Sequence, residues 1–98
     1  MRRRDAEREI RKWKKHFRIL ANRDIEFDND GEYEAQSNHG TLGSVIYDYP
    51  GVPPEDFIFH EMCHVCMAVI RHMKAPKEKR QAEELFIQDL CVAMFKEP

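Results

Sequence analysis

Between Asp5 and Ala21, apolar residues return every three or four positions: Ile10, Trp13, Phe17 and Leu20, with charges between them. That period predicts a helix with one apolar stripe, packed on the rest of the domain. From Asp24 the period changes to two. Ile25 and Phe27 alternate with acids, Asp28-Asn29-Asp30-Gly31 is a turn signal, and Tyr33 and Ala35 alternate with Glu32 and Glu34. This pattern predicts a β-hairpin. Gln36 to Gly43 reads as a loop with Gly40 and Gly43 as breakers, and Ser44 to Tyr49 predicts a third strand. Pro50-Gly51-Val52-Pro53-Pro54 ends that strand and opens a helix over residues 54 to 73, with Glu55 and Asp56 at the positive end of its dipole. Ala75-Pro76 breaks that helix, and a last one is expected over residues 77 to 95. The expected fold class is α+β: an N-terminal helix, a small three-stranded sheet and two C-terminal helices, in one domain over residues 1–98.

The middle helix carries the chemistry. Its projection gathers Ile58, Met62, Val65, Cys66, Val69 and Met73 on one face, and puts His60 and His64 nearly opposite. The two histidines belong to His60-Glu61-Met62-Cys63-His64, an H-E-x-x-H run. Positions i and i+4 stand one above the other on a helix, about 40° apart, so both imidazoles can reach one ion. Glu61 sits beside them, free to act as a general base toward a metal-activated water. The bland alternative is a chance match or two surface histidines. The apolar residues before the motif and the opposed core face favour a Zn2+ site.

Catalytic zinc usually takes three protein ligands and keeps the fourth position for water. His72 lies eight residues beyond His64, about 12 Å along a continuous helix, and is better explained by a helix C-terminus. On the last helix, Phe86, Ile87, Leu90, Ala93 and Met94 define an apolar face, with Glu83 near its middle and Glu84 at its margin. An acid on such a stripe is costly unless paired or metal-bound. Glu83 is therefore the expected third ligand, with Glu84 as the alternative. For either one, an exposed or salt-bridged glutamate is the bland reading.

Three cysteines imply no disulfide framework. Cys63 and Cys66 form a C-x-x-C that overlaps the histidines, but the projection directs them away from the ion. Both read as buried or half-buried small hydrophobes, as does Cys91, which could alternatively block the metal. Asp28-Asn29-Asp30-Gly31 faintly resembles a calcium loop, but His39 stands where that loop needs glutamate.

The net charge of -2 hides an asymmetry: residues 1–23 hold ten Lys and Arg against three acids, and residues 24–61 hold ten acids and no Lys or Arg. A basic segment can bind nucleic acid or an anionic surface. A solvated helix face is the commoner meaning of such a run. No apolar run is long enough to span a membrane, and no secretory leader is visible, so a cytoplasmic protein is expected.

The helix, the late strand Ser44 to Tyr49, the H-E-x-x-H helix and the glutamate helix together resemble the minigluzincins. These are very small metallopeptidases of the gluzincin group, which includes thermolysin. The resemblance implies a minimal zincin scaffold and zinc-dependent peptide hydrolysis. His60 and His64 would be ligands, Glu61 the base and a glutamate the third ligand. It also implies an edge strand, Ser44 to Tyr49, that pairs with substrate, and the possibility of a latent zymogen whose C-terminus, Lys96-Glu97-Pro98, is involved. Gluzincins often carry a polar residue four after the third-ligand glutamate; here Ile87 follows Glu83 and Gln88 follows Glu84 at that offset. Tyr47, Tyr49 and His39 are candidates for stabilising an oxyanion. The expected partner is a peptide or protein substrate. The alternative function is a catalytically silent, peptidase-like zinc domain that binds a protein or, through its basic N-terminal helix, a nucleic acid.

Overall fold

The computed structural model describes residues 2–28, 37–39, 43–48, 51 and 53–95. The first apolar stripe folds as its period predicts. Helix α1 spans Arg3–His16, and extended backbone at Phe17 ends it. A 3-10 turn, Arg18–Leu20, replaces the last expected helical turn. Ala6, Ile10, Phe17 and Leu20 are buried. Trp13 is half-buried, stacked on Phe17 at 5.7 Å between ring centroids.

Helix α2, Pro54–His72, starts on proline, whose fixed φ suits a first turn. It packs against α1 on one side and, across the 3-10 turn, against helix α3, Pro76–Phe95. Ile58, Met62, Val65 and Cys66 are fully buried between them. Phe59 reaches Trp13 of α1, with ring centroids 4.7 Å apart.

The expected α+β class, with a three-stranded sheet opened by a hairpin, is corrected here. Three helices of 14, 19 and 20 residues dominate the domain. The sheet is essentially a parallel pair: β1, Asp24–Asp28, runs beside β3, Gly43–Tyr47, with Asp24 opposite Gly43 and Asp28 opposite Tyr47. Among the described residues, three more, Ser37–His39 (β2), lie antiparallel on the other side of β3. Alternation reports a half-buried strand but not its partner. The turn signal after Asp28 favoured the neighbouring segment, whereas burial of Phe27 and Ile46 in the common core joins β1 to the later strand. Tyr33 and Ala35, the other arm of the expected hairpin, lie outside the described residues. A parallel pair cannot be joined by a two-residue turn, and β3 begins well beyond the end of β1 in the chain.

Two local features hold that pair together. A Cβ on Gly43 would stand 3.1 Å from the Asp24 carbonyl oxygen, so glycine permits the close start of β3. Arg23, buried, donates from Nη2 to the Gly43 carbonyl (3.1 Å) and to Ser44 Oγ (3.0 Å). β3 is also the middle element, with Ser44–Ile46 covered by β2, so it is not the open edge expected to receive a peptide.

Helix α3 is anchored by one polar joint. Asp89, buried, accepts from the Arg18 backbone N–H (3.0 Å) and from Arg18 Nη2 (2.8 Å). His16 Nε2 donates to the Asp89 carbonyl at 2.6 Å. The carboxylate thereby satisfies the first N–H of the 3-10 turn and holds α3 across the end of α1. Burial pushes the Asp89 carboxyl up, but the hydrogen bonds from Arg18 outweigh burial and hold it below the usual range. The folded value lies under the unfolded one of about 3.9, so the joint stabilises fully above roughly pH 4 and is lost as pH falls through the folded value. Urea unfolding at a series of pH values should show this component in the native protein and not in Asp89→Asn. An equal acid slope in both would show that the joint contributes nothing.

Candidate metal centre

The buried faces of α2 leave one exposed strip, and the histidines lie on it. His60 and His64 are both exposed, one helical turn apart. Their Nε2 atoms stand 3.2 Å apart, with ring centroids 4.8 Å apart and planes at 73°. Two nitrogens bound at about 2.0–2.1 Å in a tetrahedral array stand roughly 3.3 Å apart. The pair therefore already has the separation of two corners of a tetrahedral zinc coordination sphere. Without an ion, one ring N–H can donate to the other ring's nitrogen.

Glu61 lies on the border between this strip and the core. It is buried, and its Oε2 has no hydrogen-bond partner among the described residues. A carboxylate oxygen in that state costs stability, and such groups are kept where function needs them. This orphaned oxygen and the 3.2 Å histidine pair are the observations with which a divalent ion fits.

The expected third ligand is not brought to the pair. Glu83 and Glu84 are both exposed on α3. Among the described residues, no group of three His, Cys, Asp or Glu side chains converges on a metal position. The error is one of helical phase. The inward face of α3 runs through Ala82, Phe86, Asp89, Leu90 and Ala93, while Ile87 and Met94 are half or more exposed. The reasoning that an acid on the inner stripe needs a partner holds, but it applies to Asp89, and the partner is Arg18. Ala82, four residues before Phe86 and seven before Asp89, was the available signal for that phase.

The other candidates separate clearly. His72 is exposed at the end of α2, as a cation near a C-terminus can be. Cys66 is fully buried and Cys63 half-buried, as expected, while Cys91 is exposed rather than packed. Burial pushes both the Cys63 and Cys66 thiols up, and for Cys66 the nearby Cys63 and Asp89 add to it. Neither is a ready thiolate. Tyr47 is half-buried on β3; Tyr49, the side chain of His39 and Lys96-Glu97-Pro98 lie outside the described residues. A cavity of about 500 Å³ opens between α1 and β1, lined by Arg3, Glu7, Ile10 and Phe27 among others, and none of its lining residues belongs to α2. No helix among the described residues is long and apolar enough to cross a membrane.

No protein-family model, curated protein or solved structure matches this chain. The histidine pair is therefore read from its own geometry.

Two measurements follow from that geometry. By isothermal titration, zinc affinity should fall at least about tenfold in His60→Ala or His64→Ala, the loss expected for a ligand or its supporting group. It should be unchanged in Glu83→Ala; loss there would restore Glu83 as the third ligand. Glu61→Met replaces an orphaned buried carboxylate with an apolar side chain of similar size. It should raise the metal-free unfolding free energy by about 1–3 kcal/mol. A destabilised Glu61→Met protein would mean the carboxylate has a structural partner.

Proposed function

We propose that the chain is a zinc-dependent peptide hydrolase of the H-E-x-x-H type, similar in its site to the minigluzincins. The observation that carries this reading is the 3.2 Å separation of the His60 and His64 Nε2 atoms on the exposed strip of α2, with the orphaned Glu61 oxygen on the adjoining residue. Three features at one helical turn are involved: two ligands at tetrahedral spacing, solvent access for a substrate, and an unpartnered base.

When bound, a zinc ion supplies Lewis-acid polarisation of a carbonyl and acidifies water. His60 and His64 would hold it through Nε2. Glu61 would be the group that takes a proton from the attacking water and returns it to the leaving amine. Burial keeps that carboxylate out of bulk solvent, where competing hydrogen bonds would weaken its action. The three cysteines are free thiols, which suits a reducing, cytoplasmic setting for this activity.

A second reading has its own support. With no third ligand among the described residues, the chain could hold zinc and bind a partner without cutting it. One experiment separates the two. Zinc-loaded protein is incubated with unfolded casein and a mixed peptide library, and fragments are read by mass spectrometry. The hydrolase reading expects cleavage that is removed by a chelator, restored by zinc and reduced at least about a thousandfold in Glu61→Gln, as for loss of a general base together with its positioning. Zinc bound at one equivalent with no cleavage would favour the binding domain.

A further inference from the structure

We propose that the outward face of α1 binds the phosphate backbone of nucleic acid. This stands apart from the metal reading and uses no residue of it.

Arg4, Arg8, Arg11 and Lys15 follow one another at spacings of four, three and four, so they form a single stripe along α1. Arg18 continues it on the 3-10 turn. The stripe lies well away from the buried line of Ala6, Ile10 and Phe17, and Arg4, Arg8, Arg11 and Lys15 are all exposed. The acids of α1 stand at the margins of the stripe: Asp5 and Glu9 on one flank, and Glu7, half-exposed, on the other, one turn before Arg11. Their ion pairs serve Arg8 (3.4 Å to Asp5), Lys12 (3.9 Å to Glu9) and Arg3 (3.9 Å to Glu7). Among the described residues, Arg4, Arg11, Lys14 and Lys15 have no ion pair to any acid.

Like charges at i and i+4 on a helix destabilise it by a few tenths of a kcal/mol per pair. The helix tolerates such a row here although Asp5 offsets only Arg8 of its members. An open cavity of about 470 Å³ lies over its second half, lined by Arg11, Lys14, Lys15, Arg18 and Ala21. Its walls are largely apolar, and of the four cationic residues that line it Arg18 is already paired with Asp89. The charges left without an acid, on Arg4, Arg11, Lys14 and Lys15, favour an anion, and their extended row favours a repeating one. From Arg4 to Lys15 α1 rises about 16 Å, comparable with the axial rise of roughly five phosphates of one strand at 3.4 Å each. The contacts are to backbone charge, so binding is independent of sequence.

The test is fluorescence anisotropy of the full chain with a labelled duplex of about 20 base pairs and a matching single strand, over a series of KCl concentrations. Four phosphate contacts give a log–log salt slope of about −3 to −4 on the duplex. Arg11→Gln/Lys15→Gln and, separately, Arg4→Gln/Arg8→Gln should each weaken binding on the order of tenfold and make the slope shallower by about 2. Lys74→Gln/Lys77→Gln, exposed and outside the stripe, should change neither. Unchanged circular dichroism checks that each variant is folded. No binding at low salt, or equal binding by the stripe variants, overturns the proposal. Labelled polyglutamate bound as tightly at equal charge would reassign the face to an acidic protein. Low-salt self-association lost in the stripe variants would reassign it to a second copy of the chain.

Discussion

The Asp89–Arg18 joint is the constraint on which the arrangement of the helices rests. Helix α3 has a thin apolar face, with Ile87, Val92, Met94 and Phe95 all substantially exposed. Its inward stripe instead contains a carboxylate, and that carboxylate closes on the backbone N–H and guanidinium of Arg18, 71 residues away in sequence. A charge-assisted bond of this kind fixes direction as well as proximity. It seats α3 across the end of α1, with His16 adding a second contact to the same residue. Helix α2 is then covered by α1, by the 3-10 turn and by α3, and a single strip of its surface remains open. His60 and His64 are exposed because the rest of the helix is occupied.

That placement lets one helix carry both the core and the proposed site. Met62, Val65 and Cys66 are buried on the far side, so the helix cannot rotate without exposing them. The backbone thus keeps the two imidazoles one turn apart on the open strip, which under the proposed reading would reduce the ordering cost of binding an ion. Glu61 shows the converse. Its buried, unpartnered oxygen works against the stability of the domain, a conflict of the kind that functional sites carry.

The helices were legible from period alone, because apolar spacings of three and four in α1 and α2 directly reflect burial. The histidines were legible for the same reason: their position opposite the stripe of Ile58, Met62 and Val65 required them to face outward. The sheet was harder. Alternation identified Phe27 and Ile46 as buried, but a strand's partner is set by long-range packing, and the local turn signal at Asp28 pointed to a hairpin rather than to parallel β3. Helix α3 failed through phase. Its surface carries nearly as many apolar side chains as its inner face, so Ile87 and Met94 pulled the apparent stripe round and placed Glu83 on it. The partner of Asp89 could not be read from spacing, because Arg18 comes from the opposite end of the chain.

The central claim is that His60 and His64 together form a metal site. X-ray absorption at the zinc edge, on protein loaded with one equivalent, tests it most directly. A site on His60 and His64 gives a shell of nitrogen and oxygen at about 2.0–2.1 Å with the outer-shell scattering of two imidazole rings, and no sulfur. A sulfur shell at about 2.3 Å would place the ion on Cys63 and Cys66 instead and rule the histidine site out.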